Sequence, residues 1–159
     1  MLEPAGQGAR ARGRRADAAG PNPGVTRTLS NSTGSADGLA GLRVLVVEDE
    51  AAISLLLEDM LLDFGCEVIG PAARLSAALE AVSRESLDIA ILDVNVAGEP
   101  IYPVAEALDA RKIPFVFSTG YGSAGIKDAF RNRPVLQKPF AQNDLKVKLL
   151  LARQDVLPT

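Results

Sequence analysis

Acidic, hydroxyl-bearing and basic residues stand directly after four short apolar runs of this sequence. In chain order they are Glu48 and Asp49 after residues 42–47, Asp93 after 88–92, Thr119 with Gly120 after 114–118, and Lys138 after 134–137. Clustered carboxylates repel one another and therefore need a cation. Oxygen ligands in a chain with no His favour Mg²⁺ over zinc. A carboxylate beside Mg²⁺ can act as a nucleophile towards a phosphoryl group, whose oxygens Lys138 and Thr119 would contact.

The elements that must position these residues alternate between apolar runs and amphipathic segments. The predicted strands are residues 42–47, 66–70, 88–92, 114–118 and 134–137, and the predicted helices are 53–64, 74–85, 101–110, 124–131 and 142–153. Five strands alternating with five helices predict a parallel sheet covered on both faces. The carboxyl ends of such strands share one edge, where ligands bind. Acids after a strand can also simply cap the next helix, and Asp49 is a candidate for that role.

The apolar spacing of the helices predicts which side chains face the sheet. The expected inward residues are Ile53, Leu56, Leu57, Met60, Leu61 and Phe64 in the first helix, Leu75, Ala78, Leu79 and Val82 in the second, and Leu145, Leu149 and Leu150 in the last. Pro103 is expected in the first turn of the third helix. The single Cys66 is interpreted as a small core residue rather than a redox sensor.

Composition divides the chain near residue 40. Residues 1–40 contain seven Gly, three Pro, eight Ala and six Ser or Thr, which is too little apolar surface to order them. We therefore expect a disordered tail over 1–40 and one folded domain over 41–155. The net charge of −3 argues against nucleic-acid binding, and no apolar run is long enough for a membrane span. The expected location is the cytoplasm.

The motifs at the strand ends resemble those of a known family. VLVVEDE, the Asp of ILDVN, the STG after the fourth strand and the KPF after the fifth resemble the receiver domain of two-component response regulators. The spacings also fit, because Asp49 precedes Asp93 by 44 residues and Asp93 precedes Lys138 by 45. The likeness covers about residues 42–153 and implies a flavodoxin-like fold. FSTGY (117–121) further resembles the "FATGY" group of single-domain receivers, with Ser118 in place of Ala.

The resemblance implies a role for each site residue. It makes Asp93 the phosphoacceptor and assigns Mg²⁺ to Glu48, Asp49, Asp93 and the backbone carbonyl of Asn95. It makes Thr119 the switch hydroxyl beside Gly120, Lys138 the phosphate-binding lysine, and the bond before Pro139 a cis peptide. Typical receivers carry an aromatic switch residue three positions before the lysine, where this chain has Val135. Tyr121 is the candidate to replace that aromatic residue.

The expected function is that of a single-domain response regulator in a phosphorelay. No output domain follows the last predicted helix, so we expect signalling through a downstream protein partner or service as a phosphate sink. With no His of its own, the chain needs a histidine kinase or phosphotransfer protein as donor. The chain is expected not to be an enzyme. Two alternatives stay open at this point: a phosphohydrolase that uses an aspartyl phosphate, and a degenerate receiver that acts only as a binding module.

Overall fold

The computed structural model describes residues 38–121 and 125–156, and the residues from Leu39 onward form one compact unit. The predicted tail therefore lies outside the described residues except for its last three positions. One of these, Leu39, has a fully buried side chain. Among the described residues, no helix has both the length and the apolar character needed to cross a membrane.

Five parallel strands form the sheet, as the alternating pattern predicts. The elements are β1 (Arg43–Val47), α1 (Ala51–Asp63), β2 (Glu67–Ala72), α2 (Leu75–Arg84), β3 (Ile89–Asp93), β4 (Asn95–Val96), β5 (Glu99–Pro100), α3 (Tyr102–Ala110), β6 (Phe115–Thr119), β7 (Val135–Gln137) and α4 (Gln142–Val156). The strand order in the sheet is β2-β1-β3-β6-β7. This is a doubly wound arrangement that reverses direction between β1 and β3, where such sheets bind their ligands.

Two apolar clusters cover the two faces of the sheet. On one face, α1 and α4 contribute Leu57, Leu61, Leu145 and Leu149. On the other face, α2 and α3 contribute Ala78, Val82, Val104 and Leu108. Every residue of β3 and β6 is buried, as expected for central strands covered on both faces.

The predicted inward faces of α1 and α2 are partly wrong. Leu56 is 41% exposed and Leu79 is 37% exposed. In α1 the fully covered positions are Ser54, Leu57 and Leu61, which lie on one narrow stripe at i, i+3 and i+7. Leucines occur on several sides of α1, so the spacing of apolar residues alone does not identify the stripe that packs against the sheet.

The fourth predicted helix, residues 124–131, is also wrong. Among the described residues of that segment there is no α-helix, and residues Asp128–Phe130 form a 3₁₀ turn. The turn places the side chain of Phe130 in the core against Phe115 and Phe117. The described part of the chain therefore has four α-helices, where the sequence pattern predicts five.

Candidate functional site

Strand register brings the predicted site residues to one edge of the sheet. Asp93 ends β3 and pairs in register with Ser118 of β6. Thr119 ends β6, and its carbonyl accepts a hydrogen bond of 2.9 Å from the backbone N–H of Lys138. Glu48 directly follows β1, the strand next to β3. The structure therefore confirms that these parallel strands end at one edge of the sheet.

Three carboxylates form a cluster at the centre of this edge. Glu48, Asp49 and Asp93 each offer an oxygen, and these atoms all lie within 4.8 Å of one another. Glu48 is 2% exposed and Asp93 is 9% exposed, whereas Asp49 faces solvent. Three negative charges this close repel strongly in a partly buried site, so the cluster attracts cations.

The Lys138 ammonium group supplies the first of these cations. Its Nζ lies 3.0 Å from Glu48 Oε2, 3.3 Å from Asp93 Oδ2 and 3.6 Å from Glu50 Oε1. The Lys138 side chain is 15% exposed. Burial lowers the pKa of Lys138, but the hydrogen bond with Glu48 and the charges of Asp93 and Glu48 outweigh it and raise the pKa above its ordinary value. Lys138 is therefore a fixed positive charge beside Asp93.

Glu48 has the least solvated carboxylate of the cluster. Burial raises the pKa of Glu48, against the lowering effect of the hydrogen bond with Lys138 and of the Glu50 backbone N–H. The Glu50 N–H donates to Glu48 Oε1 over 3.1 Å. Glu48 Oε2 lies 3.0 Å from Lys138 Nζ, but, like Ser118 Oγ, it is a buried side-chain oxygen without a well-formed hydrogen bond among the described residues.

The donor set fits a hard divalent cation. One lysine balances only part of the charge on three carboxylates, and Glu48 Oε2 is buried without a full complement of hydrogen bonds. A buried oxygen without a hydrogen bond lowers the stability of the protein, and a bound cation would offset that loss. Carboxylate oxygens are the ligands that Mg²⁺ prefers, and this cluster contains neither His nor Cys.

A short hairpin that sequence reasoning missed supports the cluster from one side. Strands β4 and β5 pair in antiparallel fashion through a two-residue turn at Ala97 and Gly98. Both turn residues have positive φ, 52° and 83°, as a type I′ hairpin turn requires. The Ala97 N–H donates to Asp49 Oδ2 over 3.0 Å. Asn or Asp would normally mark the first turn position, so Ala at 97 concealed the signal in the sequence.

Backbone geometry around the site bears on three other predicted residues. The Asn95 N–H donates to Asp93 Oδ1 over 3.4 Å, which brings the backbone of Asn95 to the cluster. The peptide bond between Lys138 and Pro139 is cis. Gly120 is exposed, and a Cβ built on it would meet nothing within 4 Å. The edge beside Thr119 is therefore open to a ligand.

Thr119 is buried beneath the surface, whereas the side chain of Tyr121 extends into solvent. Thr119 is 4% exposed, and its Oγ1 accepts a hydrogen bond of 3.1 Å from the Tyr121 N–H. The Tyr121 side chain is 85% exposed. Val135, at the position where typical receivers have an aromatic residue, packs beside an apolar cluster that also contacts Tyr102. Sequence reasoning assigned no role to Tyr102, whose only signal was an aromatic residue next to Pro103.

Cys66 lies away from this edge, in the cluster between α1 and the sheet. Burial raises the pKa of its thiol to about 11. The thiol donates to the Leu39 carbonyl over 3.3 Å. A buried thiol with a raised pKa reacts slowly, which supports the interpretation of Cys66 as a core residue.

Comparison with known families defines the class of protein. Residues 44–150 match the response regulator receiver domain. Because this match covers more than half of the 159 residues, the chain belongs to that family, whose members act in two-component signalling. Receiver domains take a phosphoryl group from kinases or phosphotransfer proteins and bind Mg²⁺ at an acidic pocket. In this chain, Glu48, Asp49 and Asp93 form an acidic cluster.

Individual relatives agree with this assignment. The chain is similar to SdrG from Sphingomonas melonis Fr1, with 43% identity, a TM-score of 0.65, and coverage of 73% of this chain and 98% of SdrG. It is similar to the receiver domain of the PhyR response regulator from Erythrobacter litoralis, with 27% identity, a TM-score of 0.67, and coverage of 77% and 98%. It is also 30% identical over 128 residues to the transcriptional regulatory protein PdtaR of Mycobacterium tuberculosis, which covers 78% of this chain and 62% of PdtaR.

Proposed function

We propose that this receiver accepts a phosphoryl group on Asp93 and signals through a protein partner. The observation that carries the proposal is the setting of the Asp93 carboxylate. It lies 3.3 Å from the ammonium group of Lys138, whose side chain is largely buried, and within 4.8 Å of the carboxylates of Glu48 and Asp49. A carboxylate oxygen of Asp93 can act as the nucleophile, while Lys138 can neutralise the charge of an incoming phosphoryl group.

The proposed reaction transfers a phosphoryl group between two side chains. An Asp93 oxygen attacks phosphorus, a P–O bond forms, and the P–N bond of a donor phosphohistidine breaks. The donor imidazole leaves with the bonding electron pair and takes up a proton. Mg²⁺, held by Glu48, Asp49, Asp93 and the Asn95 carbonyl, would supply positive charge for the phosphoryl oxygens.

Thr119 and Lys138 would contact the product. The Lys138 ammonium group already lies beside Asp93, and Thr119 is the last residue of β6, the strand next to β3. Hydrogen bonds from Thr119 and Lys138 to phosphoryl oxygens would form only in the phosphorylated state, and this differential contact is what shifts a conformational equilibrium. Tyr121 would report the shift, since its backbone N–H is bonded to Thr119 Oγ1.

Partners follow from the same chemistry. The chain has no His, so the phosphodonor is another protein: a histidine kinase or a phosphotransfer protein. We infer that the output is protein binding or phosphate storage rather than turnover of a substrate. SdrG and the PhyR receiver are response regulators of the same fold, and the FSTGY segment supports placement in the "FATGY" group.

A small-molecule donor tests the proposal without knowledge of the kinase. Phosphoramidate has a P–N bond like that of phosphohistidine, and intact-mass spectrometry detects the phosphorylated chain. We expect labelling that requires Mg²⁺ and is lost in Asp93→Asn. Asp88→Asn is the matched control, because Asp88 directly precedes β3, at the end opposite Asp93, and its carboxylate accepts a hydrogen bond from the Arg43 backbone N–H.

The outcomes separate the alternatives. Labelling that survives in Asp93→Asn would refute the assignment of the phosphoacceptor. Sustained release of phosphate over many turnovers would favour a phosphohydrolase, and absence of any labelling or beryllofluoride response would favour a degenerate receiver. Slow single-round labelling of the wild-type chain, followed by decay, supports the proposed function.

A further inference from the structure

Tyr102 is the first residue of α3, and its ring lies inside an aromatic cluster behind the site. The ring stacks on Phe130 with a centroid distance of 5.7 Å and an interplanar angle of 9°. It meets Phe117 edge-on at 6.3 Å. Phe117 belongs to β6, two residues before Thr119. These contacts fix the ring, so the position of its hydroxyl is determined by the core.

The Tyr102 hydroxyl binds backbone on both sides of Ile126. It donates to the Gly125 carbonyl over 3.2 Å and accepts from the Lys127 N–H over 3.0 Å. The Lys127 ammonium group lies 5.0 Å from the centroid of the same ring. Ile126 itself is 2% exposed. One side chain of α3 therefore holds the backbone of residues 125–127 by two hydrogen bonds and a cation–π contact.

Described contacts connect this clamp to Thr119. A Cβ on Gly125 would lie 3.8 Å from Tyr121 Cβ, so the two backbones are adjacent. The Tyr121 N–H in turn donates to Thr119 Oγ1. Val135, in the position of the usual aromatic switch residue, has no hydroxyl and packs beside this cluster. The hydrogen-bonding aromatic side chain behind Thr119 comes instead from α3.

We propose that Tyr102 is a positioning residue for Thr119: its hydroxyl clamp on Gly125 and Lys127 stabilises the loop conformation in which Thr119 Oγ1 faces the Tyr121 amide. This inference rests on the proposed function. In this proposal, donation from Thr119 to a phosphoryl oxygen on Asp93 requires the Thr119 side chain to leave that loop conformation. A contact that stabilises the described loop conformation therefore opposes phosphoryl binding, and its loss favours binding.

The test measures the affinity of beryllofluoride, a phosphoryl mimic, in the presence of Mg²⁺. Tyr102→Phe keeps the stacked ring and removes only the hydroxyl. We expect the variant to bind beryllofluoride about three- to ten-fold more tightly, the effect of roughly one net hydrogen bond on a two-state equilibrium. In the wild-type chain, hydrogen exchange of the Lys127 amide should accelerate on beryllofluoride binding, because that amide loses its bond to Tyr102.

The control is Val82→Ala, because Val82 is a buried apolar residue of α2, an element that does not belong to the clamp. It lowers stability without touching the clamp, so its beryllofluoride affinity should equal that of the wild-type chain. Equal or weaker affinity in Tyr102→Phe, or a Lys127 amide that stays equally protected, would overturn the positioning role. If the wild-type chain itself fails to bind beryllofluoride, the proposed function fails and this inference fails with it. Binding that is equal in the wild-type and Tyr102→Phe chains removes the inference alone.

Discussion

Neutralising Asp93 should stabilise the protein when divalent cations are removed. In Asp93→Asn the side chain keeps its size and can still accept a hydrogen bond from Lys138. The charge that disappears faces two carboxylates within 4.8 Å and one ammonium group at 3.3 Å. The repulsions and the attraction nearly cancel, and the repulsions prevail because there are two of them.

Coulomb's law gives the size of the effect. Each carboxylate repels Asp93 by about 0.9 kcal/mol at the dielectric constant of water and by about 3.5 kcal/mol at an effective value of 20. Lys138 attracts it by about 1.3 and about 5 kcal/mol under the same two conditions. The net relief on neutralisation is therefore about 0.5–2 kcal/mol, which corresponds to a rise in melting temperature of about 2–8 °C for a domain of this size.

The assay is thermal unfolding at pH 8 with EDTA and again with Mg²⁺. We expect Asp93→Asn to melt higher than the wild-type chain in EDTA and to lose most of the stabilisation that Mg²⁺ gives by mass action. Glu106→Gln is the control, because Glu106 is an exposed carboxylate on α3, and its melting temperature should stay within about 1 °C of wild type. A lower melting temperature for Asp93→Asn in EDTA, or an undiminished response to Mg²⁺, would refute the electrostatic account.

Three further predictions concern the rest of the chain. Gly70→Ala should cost about 3–5 kcal/mol in urea unfolding and Gly41→Ala only about 1–2 kcal/mol. Both residues have positive φ (96° and 83°), but a Cβ on Gly70 would lie 2.9 Å from Ala72 N and 3.0 Å from Val46 O, whereas a Cβ on Gly41 would meet nothing within 4 Å. Equal costs for the two substitutions would contradict this reasoning. Cys66, with a thiol pKa of about 11, should react with a disulfide reagent at pH 8 about a hundredfold more slowly in the folded than in the unfolded protein, and equal rates would count against its burial. A chain that begins at Gly38, and so keeps the buried Leu39, should have the same melting temperature as the full chain in calorimetry. A melting temperature lower by several degrees would show that residues 1–37 stabilise the domain.

The order of strands and helices could be predicted because buried parallel strands have a local signature. Residues 44–47 and 89–92 are continuously apolar, and the structure buries all of them. The sequence pattern was less informative about the helices. In α1 leucines occur on more than one side, so which of Leu56 and Leu57 is buried depends on how the helix meets the sheet.

By itself, the sequence determined the residue types of the site and the edge at which they meet. Glu48 and Lys138 each follow a strand and Asp93 ends one, and the carboxyl ends of parallel strands lie at one edge whatever the connections between them. Local chemistry and local periodicity were sufficient for that conclusion.

Only the tertiary structure decided how the site is supported. The hairpin whose Ala97 N–H binds Asp49 lacks the Asn or Asp that would mark it in the sequence. The Tyr102 clamp joins residues 23 and 25 positions apart, and nothing near Tyr102 in the sequence indicates its partners. Such contacts depend on strand register and helix position, which are set by the packing of the whole domain rather than by any segment alone.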